Sequence, residues 1–177
     1  MTRATAQAVG AVRYVSSTGL TTGSCGSWAS ACKLDYAMNL ATAGDQIWIK
    51  AGTYTPTVGI GTAASFTLTD GVAIYGGFFG NETSLAQRNP TSNVSTLSGD
   101  IGETGVMSGN VSHVVTAINV GSTTILDGVT IRDGAATGFG APANGGGIYI
   151  SHGSPTIANV TFYNNTATQM GGAIYVH

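Results

Sequence analysis

The side chains able to do chemistry are few. Eight carboxylates, six lysines and arginines, three histidines and two cysteines are spread over 177 residues. The tightest grouping is Asp127, Arg132 and Asp133. If Asp127 and Asp133 stack near Asp100 on successive turns of the chain, they offer a calcium site or an acid pair, with Arg132 to stabilise charge, as polysaccharide cleavage requires. The neighbours favour a plainer role. Asp45, Asp70, Asp100 and Asp127 each sit beside a glycine, where a short carboxylate bonds its own backbone and makes a turn. The next copy of this stretch carries Ala158 or Asn159 in place of Asp127, and Tyr163 in place of Arg132. Asp35, Glu82 and Glu103 are scattered, and Arg88 reads as a partner of Glu82 that fixes the loop after Gly80. His113, His152 and His177 are far apart, and no nucleophile-elbow motif accompanies them. Gly145-Gly146-Gly147 runs into a strand rather than a helix, so it lacks the setting of a phosphate loop. The sequence therefore predicts no catalytic residue, no metal and no cofactor.

Cys25 and Cys32 are the two thiols, and an even count at short spacing points to a disulfide and an oxidising compartment. With no further Cys or His nearby, zinc is disfavoured. Charged residues are only 8% of the chain, against roughly 25% in an average soluble domain, while 42% of residues are hydrophobic. That is enough for a core, with a surface of hydroxyls, amides and backbone. The net charge of −2 and the lack of a basic run argue against nucleic acid. No run approaches a membrane span, and no signal peptide stands out. Asn-x-Ser/Thr triplets such as those at Asn81, Asn93, Asn110 and Asn164 are expected by chance in so Ser/Thr/Asn-rich a chain.

The elements that hold these residues repeat. Val129-Thr130-Ile131 returns as Val160-Thr161-Phe162 at an offset of 31, and Gly146-Gly147-Ile148-Tyr149-Ile150 returns as Gly172-Ala173-Ile174-Tyr175-Val176 at an offset of 26. The difference falls in one polar loop, 135–144. Short β-rich runs with a length-variable loop mark a solenoid rather than a β-sandwich. One helix is expected over 28–41, capped by Ser27, with Trp28, Ala31, Cys32, Tyr36 or Leu34, Ala37 and Leu40 on its apolar face. After it come only strands. The runs include 12–15, 47–50, 53–55, 66–68, 72–78, 93–97, 111–120, 125–126, 129–131, 148–150, 156–157, 160–162 and 174–176, with 66–68 opening the second rung and 16–26 as a loop. Crossover helices are missing, which excludes doubly wound and barrel α/β folds. Alternation sends Ile148 and Ile150 inward and Tyr149 outward, so that Tyr149 and Tyr175 form a short aromatic ladder, structural first and a glycan contact second. Asn164 and Asn165 mark a corner.

The stretch 27–56, SWASACKLDYAMNLATAGDQIWIKAGTYTP, together with Tyr75-Gly76-Gly77-Phe78, Asn81-Glu82-Thr83, Arg88 and Leu97-Ser98-Gly99-Asp100, resembles the opening module of large secreted right-handed parallel β-helix repeat proteins. Phe162 with Asn165, and Gly171 to Ile174, resemble the Phe-x-x-Asn and Gly-Gly-Ala-Ile motifs of polymorphic outer-membrane-protein coils. The resemblance implies an all-β fold, a right-handed parallel β-helix (β-solenoid) with an N-terminal capping α-helix, secreted or displayed at a bacterial cell surface. The expected organisation is a flexible lead-in, 1–11, then a single domain, 12–177, with a helical cap over 27–43, coils over 45–177 and no C-terminal cap.

The expected function is an extracellular structural or adhesive module, non-catalytic, assembling end to end or continuing into further coils. Its assembly edge would be Gly171, Gly172, Ala173, Ile174, Tyr175, Val176 and His177, meeting a second copy head to tail or more coils of a longer chain. The alternative is a carbohydrate-binding or polysaccharide-degrading fragment, with surface glycans as partners at Tyr149 and Tyr175. Neither nucleic acid nor a membrane span enters either version.

Overall fold

The computed structural model describes residues 10–57, 61–137 and 143–177. The expected lead-in lies, up to residue 9, outside the described residues, as does the middle of the 135–144 loop. Within them the chain winds as a parallel β-helix, and every strand pairing is parallel. β1 (Val12–Leu20) precedes the first full coil. That coil comprises β2 (Gln46–Lys50), β3 (Gly52–Tyr54) and β4 (Phe66–Thr67). The second is β5 (Ala73–Phe78), β6 (Ser95–Ser98) and β7 (Val115–Ile118). The third is β8 (Ile125–Asp127), β9 (Val129–Arg132), β10 (Ala135–Ala136) and β11 (Ile148–Ser151). The fourth is β12 (Thr156–Ala158), β13 (Thr161–Tyr163), β14 (Thr166–Ala167) and β15 (Ile174–Val176). Equivalent strands stack into three main sheets, β1-β2-β5-β8-β12, β3-β6-β9-β13 and β4-β7-β11-β15, with β10-β14 beside them.

The repeat read from sequence is the coil-to-coil register. Thr130 pairs with Thr161 and Ile148 with Ile174, the offsets of 31 and 26. Because strands alternate faces, each sheet sends every second column inward, and one such column can be followed through all four coils in each sheet. Those columns are Ile47–Ile74–Leu126–Ile157, Tyr54–Leu97–Ile131–Phe162 and Phe66–Val115–Ile148–Ile174. All join one hydrophobic core, sealed through the third coil and half-buried at Ile157, Phe162 and Ile174. Corners recur in the left-handed backbone region. Asp133 (φ 61°) and Asn164 (φ 52°) form one equivalent pair, and Asn119 (φ 56°) and His152 (φ 51°) another. Asn and Asp tolerate this region better than most residues.

Three sequence expectations are corrected. The cap is not one helix over 27–43. A 3-10 turn, Trp28–Ser30, is capped by the Ser27 side chain, and α1 spans only Leu34–Leu40. Between them the backbone is extended. Leu20 N–H donates to the Ala31 carbonyl at 2.9 Å, Lys33 N–H donates to the Leu20 carbonyl at 2.8 Å, and Cys32 is bonded to Cys25 with Cα atoms 5.3 Å apart. Leu34, Ala37 and Met38 still enter the core from α1, whereas Trp28 turns to the outer face against Tyr14 and Phe78, ring centroids 4.7 and 5.6 Å away. β1 runs on to Leu20, through the first part of the expected 16–26 loop. Phe66 closes the first coil in register with Val115, rather than opening the second.

Candidate functional site

Polar side chains on the outer surface tie successive coils together. Asp45, at the turn into β2, accepts from the Ala11 N–H (2.8 Å), the Thr42 N–H (3.1 Å) and the Arg13 guanidinium (2.8 Å). Burial pushes its carboxyl up, but these donors outweigh burial and hold it below the usual carboxylate range. Asp70, before β5, accepts from Gly121 N–H at 2.7 Å and Thr124 Oγ1 at 3.3 Å one coil on. Asp133 binds Arg132 beside it, Ser98 Oγ of the coil before at 3.4 Å and Asn164 Nδ2 of the coil after at 2.7 Å. Asn165 donates to the Ile131 carbonyl (2.9 Å) and accepts from Gly134 N–H (3.0 Å). The Phe-x-x-Asn asparagine thus stitches its coil to the one beneath.

Arg88 and Glu82 are not partners. Glu82 folds back on its own turn and accepts from the N–H groups of Phe79 (2.6 Å), Gly80 (2.9 Å) and Asn81 (3.0 Å). Burial raises its carboxyl, and those three donors more than reverse the effect. Arg88, on the arm 79–94 between β5 and β6, instead reaches Asp127 at 2.6 Å, with side chains only 15% and 13% exposed. Its guanidinium also donates to the Gly76 and Asp127 carbonyls at 3.3 and 3.4 Å and lies over the Tyr75 ring. Gly128 makes room for it: φ there is +75°, and a Cβ would meet Arg88 Nη1 at 2.6 Å. Asn159 of the next coil donates to the other Asp127 oxygen at 2.8 Å. Sequence reasoning missed this pair because its partners are 39 residues apart. The expected grouping of Asp127, Arg132 and Asp133 divides in two: Asp127 faces Arg88, and Arg132 faces Asp133. No cluster of three or more His, Cys, Asp or Glu suited to a metal occurs among the described residues.

The arm that carries Arg88 overhangs the β3-β6-β9-β13 sheet and leaves a groove of about 960 Å³. Leu85, Ala86, Pro90, Thr91 and Val94 line one side, and Gly128, Val129, Thr130, Asn159 and Thr161 the other. Thr130 and Thr161 belong to an outward threonine column, Thr53–Thr96–Thr130–Thr161, one hydroxyl per coil. Among the described residues that line the groove, Arg88 is the one charged side chain, and Asp127 neutralises it. The groove suits a neutral ligand with hydroxyl and apolar faces.

On the β4-β7-β11-β15 sheet, Ile148 and Ile150 point inward and Tyr149 outward, as expected. Tyr149 and Tyr175 stack with centroids 5.7 Å apart. His113 lies 4.9 Å from Tyr149 on a tilted plane, and His177 stacks on Tyr175 at 6.3 Å. Burial lowers the His113 pKa, and its contact with the Gly145 carbonyl (3.0 Å) only partly opposes that. Rings facing one another offer edges and hydroxyls outward more than open faces, which suits stacking better than a sugar platform. Of the expected assembly edge, Ile174–Val176 forms β15, paired on one side with β11.

No helix among the described residues is long and apolar enough to cross a membrane. No curated protein and no solved structure matches the chain. A family model does match, over residues 29–176, and it describes a protein of unknown function, DUF1565, associated with right-handed β-helix proteins. The chain belongs to that DUF1565 family.

Proposed function

We propose that this chain is a structural module of an extracellular surface, a stiff β-helix segment without a catalytic centre. One observation carries this reading: five of the eight carboxylates are committed to corners or coil-to-coil bonds, through Asp45, Asp70, Glu82, Asp127 and Asp133. A carboxylate held by fixed donors serves geometry and is a poor proton carrier. The Cys25–Cys32 disulfide supports an oxidising location such as the cell exterior. In this reading the fourth coil stacks on a further coil, from more chain or from a second copy. Ile157, Phe162 and Ile174 are half-buried there, while Leu126, Ile131 and Ile148 below them are sealed. Electron microscopy of the purified protein tests it. Rods or end-to-end fibres one β-helix wide are expected. Discrete particles that depolymerise a polysaccharide would overturn it.

The groove supports a second reading, binding of a neutral glycan. The threonine column presents hydroxyls about 4.8 Å apart along the axis, and the arm supplies an apolar wall. A glycan array in which Thr130→Val and Thr161→Val abolish a hit present with the unaltered chain would favour it.

A further inference from the structure

Two buried side-chain oxygens have no hydrogen-bond partner among the described residues, Oδ1 of Asp100 and Oδ1 of Asn110. They stand at the two ends of one loop. Val111 N–H donates to the Gly99 carbonyl at 3.0 Å, so Asp100 and Asn110 flank the neck that this bond closes. Asn110 is 2% exposed, and its Nδ2 donates to the Asp133 carbonyl at 2.8 Å and to Met107 Sδ at 3.4 Å. Those contacts orient the amide and leave its oxygen as a buried acceptor with no donor. The second Asp100 oxygen accepts from Gly105 N–H at 3.0 Å, which folds the loop back over its own carboxylate.

Buried polar atoms are satisfied in the great majority of cases, and an unmet acceptor costs free energy, more so on a carboxylate. Two unmet side-chain acceptors at one neck are satisfied by a positive charge or by a pair of donors. Both atoms are hard oxygens, one anionic and one an amide, and exposed Glu103 adds negative charge to the same loop. Calcium takes such irregular all-oxygen sets, whereas magnesium demands near-octahedral geometry and keeps its waters.

We propose that the 99–111 loop binds a calcium ion, with Asp100 Oδ1 and Asn110 Oδ1 as its ligands at the neck. The site ties the loop to the third coil through the Asn110–Asp133 bond, and it stands independently of the structural reading above. Calorimetric titration of the full chain with calcium is expected to give a dissociation constant of about 10⁻⁴–10⁻³ M, the range of extracellular calcium modules. Asp100→Asn is expected to weaken binding at least about tenfold. Thermal unfolding adds a readout that a merely structural Asp100 would not move. In chelator, Asp100→Asn melts at or above the unaltered protein, because a carboxylate oxygen without a donor is replaced by a neutral amide. In excess calcium the order reverses. If calcium releases no heat and shifts no melting point, or shifts both proteins equally, the proposal fails and a bound water is the partner. If Asp100→Asn does not fold, amide NMR shifts of the unaltered chain decide: calcium-induced shifts centred on 99–111 are expected, and shifts centred elsewhere or absent overturn the assignment.

Discussion

Replacing Asp127 by alanine tests the idea that ion pairs staple the coils. The change strands the Arg88 guanidinium under its own arm, with both side chains about seven-eighths buried beforehand (15% and 13% exposed). Removing one partner of a buried pair costs about 3–5 kcal/mol, and a hydrogen bond to a charged group is worth about 1.5–3 kcal/mol. Arg88 keeps its contacts with the Gly76 carbonyl and the Tyr75 ring and retains some access to water, which puts the loss near the lower figure. About 3 kcal/mol is therefore expected, a fall in Tm of about 6–12 °C for a chain of this size. Thermal unfolding followed by circular dichroism reads this directly. The double variant Arg88→Met with Asp127→Ala should recover part of the loss, because no charge is left stranded; a coupling of about 2 kcal/mol is expected from the cycle. If Asp127→Ala costs less than about 0.5 kcal/mol, as a solvated surface pair would, the stapling argument is wrong.

Two further outcomes follow from the same geometry. Leu126→Ala, at a fully sealed position, is expected to cost about 2–5 kcal/mol, whereas Ile157→Ala, its half-buried register partner in the fourth coil, should cost well under half as much by chemical denaturation. Acid should also destabilise the fold. Burial raises the Glu82 and Asp45 carboxyls, but the N–H groups of Phe79, Gly80 and Asn81, and those of Thr42 and Ala11 together with Arg13, hold them below the ordinary range. A depressed carboxylate contributes stability that is complete above its unfolded pKa, about 4, and is lost as pH falls through the folded value. Melting temperature should therefore drop below about pH 4, and Glu82→Gln should show a shallower drop with a lower plateau at neutral pH.

Much of the architecture was legible in the chain because a solenoid is built from local, repeated rules. The inward columns recur at fixed offsets, Thr130 over Thr161 and Ile148 over Ile174, so matching letters in sequence are neighbours in space. The disulfide was legible because its cysteines are close in sequence. The helix 28–41 was misread because its apolar spacing is compatible with a helix, yet the backbone at Ala31–Lys33 pairs with Leu20 instead. Tertiary pairing there outweighs local propensity.

The sequence by itself determined most of the strands, the coil-to-coil offsets, the inward Ile148 and Ile150, and the turn role of Asp45. Only the tertiary structure decided which partner each charge meets. Arg88 bypasses Glu82, six residues away, for Asp127, 39 residues away, while Asp133 takes Arg132. The same holds for the groove under the 79–94 arm and for the two unmet oxygens at the neck of the 99–111 loop. Those features lie where insertions of unequal length leave the repeat, and there chain closure over tens of residues, not periodicity, sets which groups meet.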